Sequence, residues 1–509
     1  MARSQFDRSF TIKDTFDFDY LVPCFVDEIL PGDTCNISVN TFGRLATQKV
    51  PIMDNLMIDY FFFFVPNRLV WNNWEKFNGA QDNPGDSTDF LIPTVTTTAV
   101  TGEAVGSIYD KMGIPTQIPT LPLNVLPLRG YNLIYNTWFR DENLQNSVTV
   151  NKGDGPDTPG TYTLLKRGRR HDYFTSALPW PQKGPAVTLP LGTSAPVQRI
   201  NNAPTARWTY TGTNTYAANG SLAISGGNAQ MNNGAGFLAM DPNGGLIANL
   251  TSATAATINQ LRQAFSIQSM YELDARGGTR YVEILLAHFN VTSPDFRLQR
   301  PEYLGGGQTR INSHPVAQTA PTTGSNAQGQ LAAFATTSSS GSNIGFTHSF
   351  VEHGYVIGLM CARADITYQQ GLNKMWSRQT RFDFFWPKLQ ELGEQSVLNK
   401  EIYATGTNST QDNAVFGYQE RYAEYRYKPS EIHGQFRSTY AQSLDFWHMA
   451  ENFGSLPALN STFIEQKTPI DRAIAVTSTG ATILMDMWFQ YKHARPMLTY
   501  SVPSRLGKF

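Results

Sequence analysis

Cysteine, charge and long apolar runs are all scarce in this chain of 509 residues. The three cysteines are Cys24, Cys35 and Cys361. An odd, low count without paired spacing argues against a disulfide scaffold and for reduced, partly buried thiols in a reducing compartment. Charged residues make up 16% of the chain, against roughly 25% in ordinary soluble domains. Neither sign dominates, since 40 basic residues face 41 acidic ones for a net charge of −1. A protein that binds nucleic acid unaided carries a strong basic excess. Any contact with a polynucleotide must therefore be local, or shared with a basic partner. The longest apolar run, Tyr60 to Val65, falls far short of the ~20 residues of a membrane helix, so no membrane insertion is expected. The opening MARSQFDRSF has neither the apolar core nor the cleavage site of a signal peptide.

Constellations that do chemistry are also lacking. His348 and His353 flank Glu352, but their separation turns the rings roughly 140° apart on a helix and to opposite faces on a strand. That does not match a zinc-protease pattern, and both histidines read as structural. Gly305-Gly306-Gly307 is followed by no lysine at phosphate-loop spacing. Glu391 with Glu394, and Glu420 with Glu424, sit at helical steps that suit ion-paired faces better than a glycosidase pair. No catalytic residue, metal or cofactor is expected.

What the chain does have is aromatic residues, 12% of the total with 31 Phe and 22 Tyr. Few charges and many rings fit a subunit covered by partners, or a β-rich enzyme. Phe16 to Phe42 alternates in strand fashion, with a turn at Pro31-Gly32-Asp33. Asp54 to Val65 predicts a strand buried on both faces and ended by Pro66, and Leu69 to Phe77 predicts a helix stopped at Gly79. Asp82 to Pro127 reads as a long connection. Leu128 to Leu144 predicts an amphipathic helix, and Asn146 to about Pro190 is irregular. Ile258 to Leu273 and Thr279 to Phe289 predict two helices, the first closed by Gly277-Gly278. Gly305 to Asn343 reads as a Gly/Ser/Thr/Gln loop. Gly354 to Thr367 and Gly480 to Tyr491 predict core strands. No βαβ rhythm and no short repeat occurs, which favours an antiparallel fold with loops larger than its core.

Four sets of residues stand out as candidate surfaces. Thr193 to Thr257 holds only Arg199, Arg207 and Asp241 as charges, yet keeps Trp208, Tyr210, Tyr216 and Phe237. It reads as a surface excursion, because disordered segments carry high charge and few aromatics. Lys166, Arg167, Arg169 and Arg170 form the densest basic cluster, suited to phosphate, to an inter-subunit ion pair or to a solvated loop. Basic residues among aromatics at the two ends, Arg3, Arg8, Lys492, His493, Arg495, Arg505 and Lys508, suit single-stranded DNA or an arm draped over a neighbour. Phe382, Phe384, Phe385 and Trp386, with Tyr418, Tyr422, Tyr425 and Tyr427, are candidate inter-subunit contacts, since Tyr and Arg dominate interface hot spots.

The block from Gln369 to Tyr403 resembles the major capsid protein of the microviruses, small single-stranded DNA phages, in their gokushovirus branch. LVPCFVDEILPGDT (Leu21 to Thr34), FFFFVPNRLVWNNWEKFNG (Phe61 to Gly79), SPDFRLQRPEYLGGG (Ser293 to Gly307) and KHARPMLTYSVPSRLGKF (Lys492 to Phe509) carry the same resemblance. It implies a mainly β fold, an eight-stranded antiparallel viral jelly roll with long inserted loops and a few short helices. It implies one such domain over residues 1–509, with 193–257 as a variable insertion forming a protrusion at the three-fold axes. The implied function is a T=1 icosahedral shell around circular single-stranded DNA. The implied partners are further copies of the chain, a small basic internal DNA-binding protein, a minor DNA pilot protein and a host surface receptor. Assembly would occur in the bacterial cytoplasm and the product would be the virion. The competing class is a polysaccharide-degrading or carbohydrate-binding phage protein.

Overall fold

A computed structural model describes residues 3–188, 258–317, 319, 321–324, 329, 331–341, 343–475 and 481–500, and the backbone of short segments at 197–199, 208–210, 222–225, 228–231, 238–240 and 246–248. Contacts divide the chain into two units, 1–181 with 274–509, and 182–273.

The first unit is built on ten strands. They are β1 (Ser4–Asp7), β2 (Phe10–Phe16), β3 (Val22–Ile29), β4 (Thr34–Leu45), β5 (Leu56–Pro66), β6 (Glu302–Ala317), β7 (Leu331–Ser339), β8 (Gly345–Ser349), β9 (Gly354–Ala364) and β10 (Ile483–Arg495). Eight follow one antiparallel path, β1-β10-β4-β7-β6-β5-β9-β3, while β2 pairs with β10, and β8 bridges β6 and β4. The network folds over on itself. Phe25 on β3 and Phe489 on β10 are far apart along the path, yet their rings lie 5.6 Å apart. This is the jelly-roll sandwich: two sheet halves share one core filled by alternate residues of each strand. On β10 the alternation is complete, with Ile483, Met485, Met487, Phe489 and Tyr491 buried and the residues between them exposed.

The other half of the sandwich is buried on both sides. Ile58, Tyr60, Phe62 and Phe64 of β5 face the shared core. Phe63 and Val65 face a second core with Ile357 and Leu359 of β9. That double burial is why the sequence there is continuously apolar rather than alternating. Helix α1 (Leu126–Ile134) covers this outer face. Gly130 lets it approach closely, since a Cβ there would lie 3.0 Å from Cδ1 of Ile357. The helix predicted to Leu144 stops early, because Tyr135–Phe139 widens into a π turn and Arg140 is extended. Two further helices, α2 (Ile258–Arg276) and α3 (Tyr281–Phe289), match their predicted positions.

Two expectations are corrected. The Gly-rich stretch from Gly305 is not a loop, since it lies on β6 and pairs with β5 and β7. Its glycines mark close backbone approach: a Cβ on Gly306 would lie 2.1 Å from the carbonyl oxygen of Tyr60. The connection from Asp82 also contributes core, for Val95, Ile108 and Tyr109 are buried in the second cluster.

Within the second unit, three short antiparallel ladders are nested. Val197–Arg199 pairs with Leu246–Ala248, Trp208–Tyr210 with Leu238–Met240, and Leu222–Ser225 with Asn228–Met231.

Candidate functional site

The aromatic block forms a surface. Residues 373–389 run through three short 3-10 turns instead of a sheet or long helix. Asp383 caps one of them by accepting from the backbone N–H of Thr380 and Gln379. The chain is thus held locally, and its rings turn outward: Trp376 is 72% exposed and Phe382 61%. Phe384, Phe385, Trp386, Tyr425 and Tyr427 are exposed beside them. Arginines lie on the rings, Arg378 at 4.2 Å from the Tyr425 centroid and Arg381 at 4.6 Å from that of Trp386. Tyr422 differs, being buried beneath Phe385 at a centroid distance of 5.3 Å. Tyr418 is half-buried in a two-stranded ladder opposite Ser396.

Three of the four carboxylates in the two pairs are held by arginines, and Glu391 is exposed. Glu394 and Glu420 face Arg276, Glu420 also faces Arg426, and Glu424 lies 3.1 Å from Arg378. Among the described residues no His/Cys/Asp/Glu group is placed to hold a metal ion. His348 lies 3.8 Å from Glu302, His353 packs on the ring of Trp74, and Glu352 pairs with Arg68 at 2.6 Å. The three cysteines are free and buried. Burial pushes the Cys35 thiol up to about 11 and that of Cys361 up to about 12, so neither is a nucleophile at neutral pH. No helix among the described residues is long and apolar enough to cross a membrane.

The basic clusters are tied into the fold. Arg167 pairs with Asp59, Arg169 with Glu451 at 2.8 Å and Arg170 with Asp365 at 3.5 Å, while Lys166 lies over the ring of Tyr20 at 5.4 Å. Burial would raise the Asp59 carboxyl, but the guanidiniums of Arg363 and Arg167 hold it below its ordinary value. Arg167 and Arg169 therefore anchor the fold. Of the alternatives for this cluster, the solvated loop does not hold for these two, because carboxylates remote in sequence close on them.

At the chain ends, Arg3 donates to Thr34 at the surface and Lys492 is exposed opposite Asp7. His493 is buried, which corrects that expectation for it, while Arg8 and Arg495 are each paired with a carboxylate. Arg8 donates to Asp27 at 2.9 Å. His493 is fully buried, with Nε2 at 2.9 Å from Asp33 and Nδ1 at 2.8 Å from the Tyr491 hydroxyl. Arg495 lies 3.1 Å from Asp33. The alternation of β10 already assigns position 493 to the buried face, and that signal was present in the sequence. Trp208 and Tyr210 fall on one of the nested ladders, whereas Tyr216, Phe237, Arg505 and Lys508 lie outside the described residues.

A broad outward shelf of rings is the kind of surface that other chains cover. Residues 1–505 match the family model described as Capsid protein (F protein). The chain belongs to this phage capsid protein family. It is similar to capsid protein VP1 of Bdellovibrio phage phiMH2K, at 60% identity over 100% of this chain and 96% of the relative. It is also similar to capsid protein VP1 of Chlamydia phage 1, at 41% over 99% of the chain and 96% of the relative. The same holds for capsid protein VP1 of Spiroplasma virus 4, at 36% over 96% and 92%. The chain is a microvirus major capsid protein and a component of the virion.

Proposed function

We propose that copies of this chain close into a T=1 icosahedral shell around a circular single-stranded DNA genome. The observation that carries this reading is the shelf of exposed rings around Phe382, Phe384, Phe385, Trp386, Tyr425 and Tyr427. Rings left in water at this density are covered when subunits meet, and Arg stacked on Tyr or Trp is the composition of an interface hot spot. A closed shell needs such heterologous contacts on every side of its subunit. The chain is then one jelly-roll domain with large insertions. Its segment 193–257 is a protrusion at the three-fold axes that contacts the host surface, with Trp208, Tyr210, Tyr216 and Phe237 as candidate contacts.

Near-neutral charge leaves the genome to a small basic internal protein and delivery to a minor pilot protein. At the chain ends, candidates for direct DNA contact narrow to Arg3 and Lys492 among the described residues, with Arg505 and Lys508 outside them. Substituting Phe384 with Asp tests the shelf. The subunit should fold with its stability changed by less than about 0.5 kcal/mol, as for an exposed site, while particle yield in sedimentation collapses. Particles formed at the normal yield would refute the interface. Replacing 193–257 by a short Gly/Ser bridge should leave particles intact and reduce attachment. An unfolded subunit would instead put that segment in the core.

A further inference from the structure

A second site borders the ring shelf at Tyr427, in a cavity of about 910 Å³ beside the 166–171 cluster. Its wall includes Arg140, Arg169, Arg170 and Arg280, with Tyr303 and Tyr427 as half-exposed rings. The acceptors on this wall are already committed. Asp141 accepts the backbone N–H of Asn143 and Leu144, Glu283 accepts from Arg280 at 3.1 Å, and Glu142 lies between Arg140 and Arg280 at 3.5 and 3.3 Å. Guanidinium donors are left over. Arg169 is only 8% exposed. Its Nε donates to the Glu465 carbonyl and its Nη2 to Glu451, yet its Nη1 has no acceptor. The buried Nε of Arg140 also has none. A buried donor left unpaired is costly, and a fork of N–H groups matches phosphate oxygens. Aromatic rings beside it match the face of a base.

We infer that this cavity binds a nucleotide unit, its phosphate on Arg169 and Arg140 and its base against Tyr303 or Tyr427. The unit is either part of a single DNA strand, which rests on the shell reading above, or a free mononucleotide. Binding is tested on the full chain by fluorescence anisotropy of a labelled short oligothymidylate at low salt, with thymidine monophosphate and inorganic phosphate as competitors. Arg169→Lys and Arg140→Gln should each weaken binding by about tenfold, the loss of one charge-assisted hydrogen bond. Lys428→Glu, on the exposed surface, should change it less than about twofold. Arg140→Gln keeps the test valid if Arg169→Lys fails to fold, since Arg140 has no part in the Glu451 pair. An oligomer far tighter than the monophosphate identifies the strand as ligand, and equal affinities identify the free nucleotide. No binding by the unaltered chain, or equal binding by both arginine variants, overturns the site. Particle formation, scored separately by electron microscopy, bears on the shell reading alone.

Discussion

Replacing Arg129 with Met should destabilise the first unit by about 3 kcal/mol, because it strands a carboxylate in the second core. Arg129 has no exposed surface and forms two 2.8 Å bonds to the two oxygens of Asp157. It also donates to the carbonyls of Val70 and Gly153, at 3.1 and 2.9 Å. One side chain thus fastens α1 to the turn after β5 and to the loop through 151–162. Methionine fills the aliphatic volume but supplies no donor. Breaking a buried ion pair from one side costs about 3–5 kcal/mol. The low end applies, because Asn151 and Tyr162 still donate to Asp157, at 2.6 and 2.5 Å. Burial pushes the Asp157 carboxyl up, but Arg129 and Tyr162 outweigh it and hold it below its ordinary range. A depressed carboxyl contributes stability that is present above its unfolded value, about 3.9, and lost as the pH falls through the folded one. The gap between parent and variant should therefore be widest near neutrality and close towards about pH 4 and below. Urea unfolding followed by circular dichroism across that range measures it. A gap below about 1 kcal/mol at neutral pH, or one that widens on acidification, would refute the reasoning.

Gly306→Ala should cost about 1–3 kcal/mol, read as a lowered Tm, because its Cβ meets the Tyr60 carbonyl at 2.1 Å; an unchanged Tm contradicts the close approach. His493 should make stability fall as the pH drops below about 6.5. Burial, then the Arg495 charge, depresses its folded value, and a group so depressed binds protons preferentially when unfolded. His493→Gln should flatten that part of the profile, and a profile as steep as the parent's would exclude His493 as its source.

The central strands were legible because their periodicity is fixed by burial. β5, covered on both faces, predicts itself as an unbroken apolar run, and β10, covered on one, as strict alternation. β6 was not legible, since three consecutive glycines look like a turn until a neighbouring backbone occupies the space of their missing side chains. α1 was predicted too long because a π turn keeps helical spacing for another turn while ending the α ladder. At the surfaces, local composition found the ring shelf, whose exposure requires no distant partner. It could not find the carboxylates that close on the 166–171 cluster, for Asp59, Asp365 and Glu451 come from three other parts of the chain. The nearest missed signal is His493, whose burial follows from counting alternate positions back to Ile483.

The most direct test is electron microscopy of the purified chain, with and without a small basic protein from the same virus. The account predicts closed, uniform particles of icosahedral symmetry, with a protrusion built from 193–257 on each three-fold axis. A chain that stays monomeric in both conditions, with its ring shelf still in solvent, would contradict it.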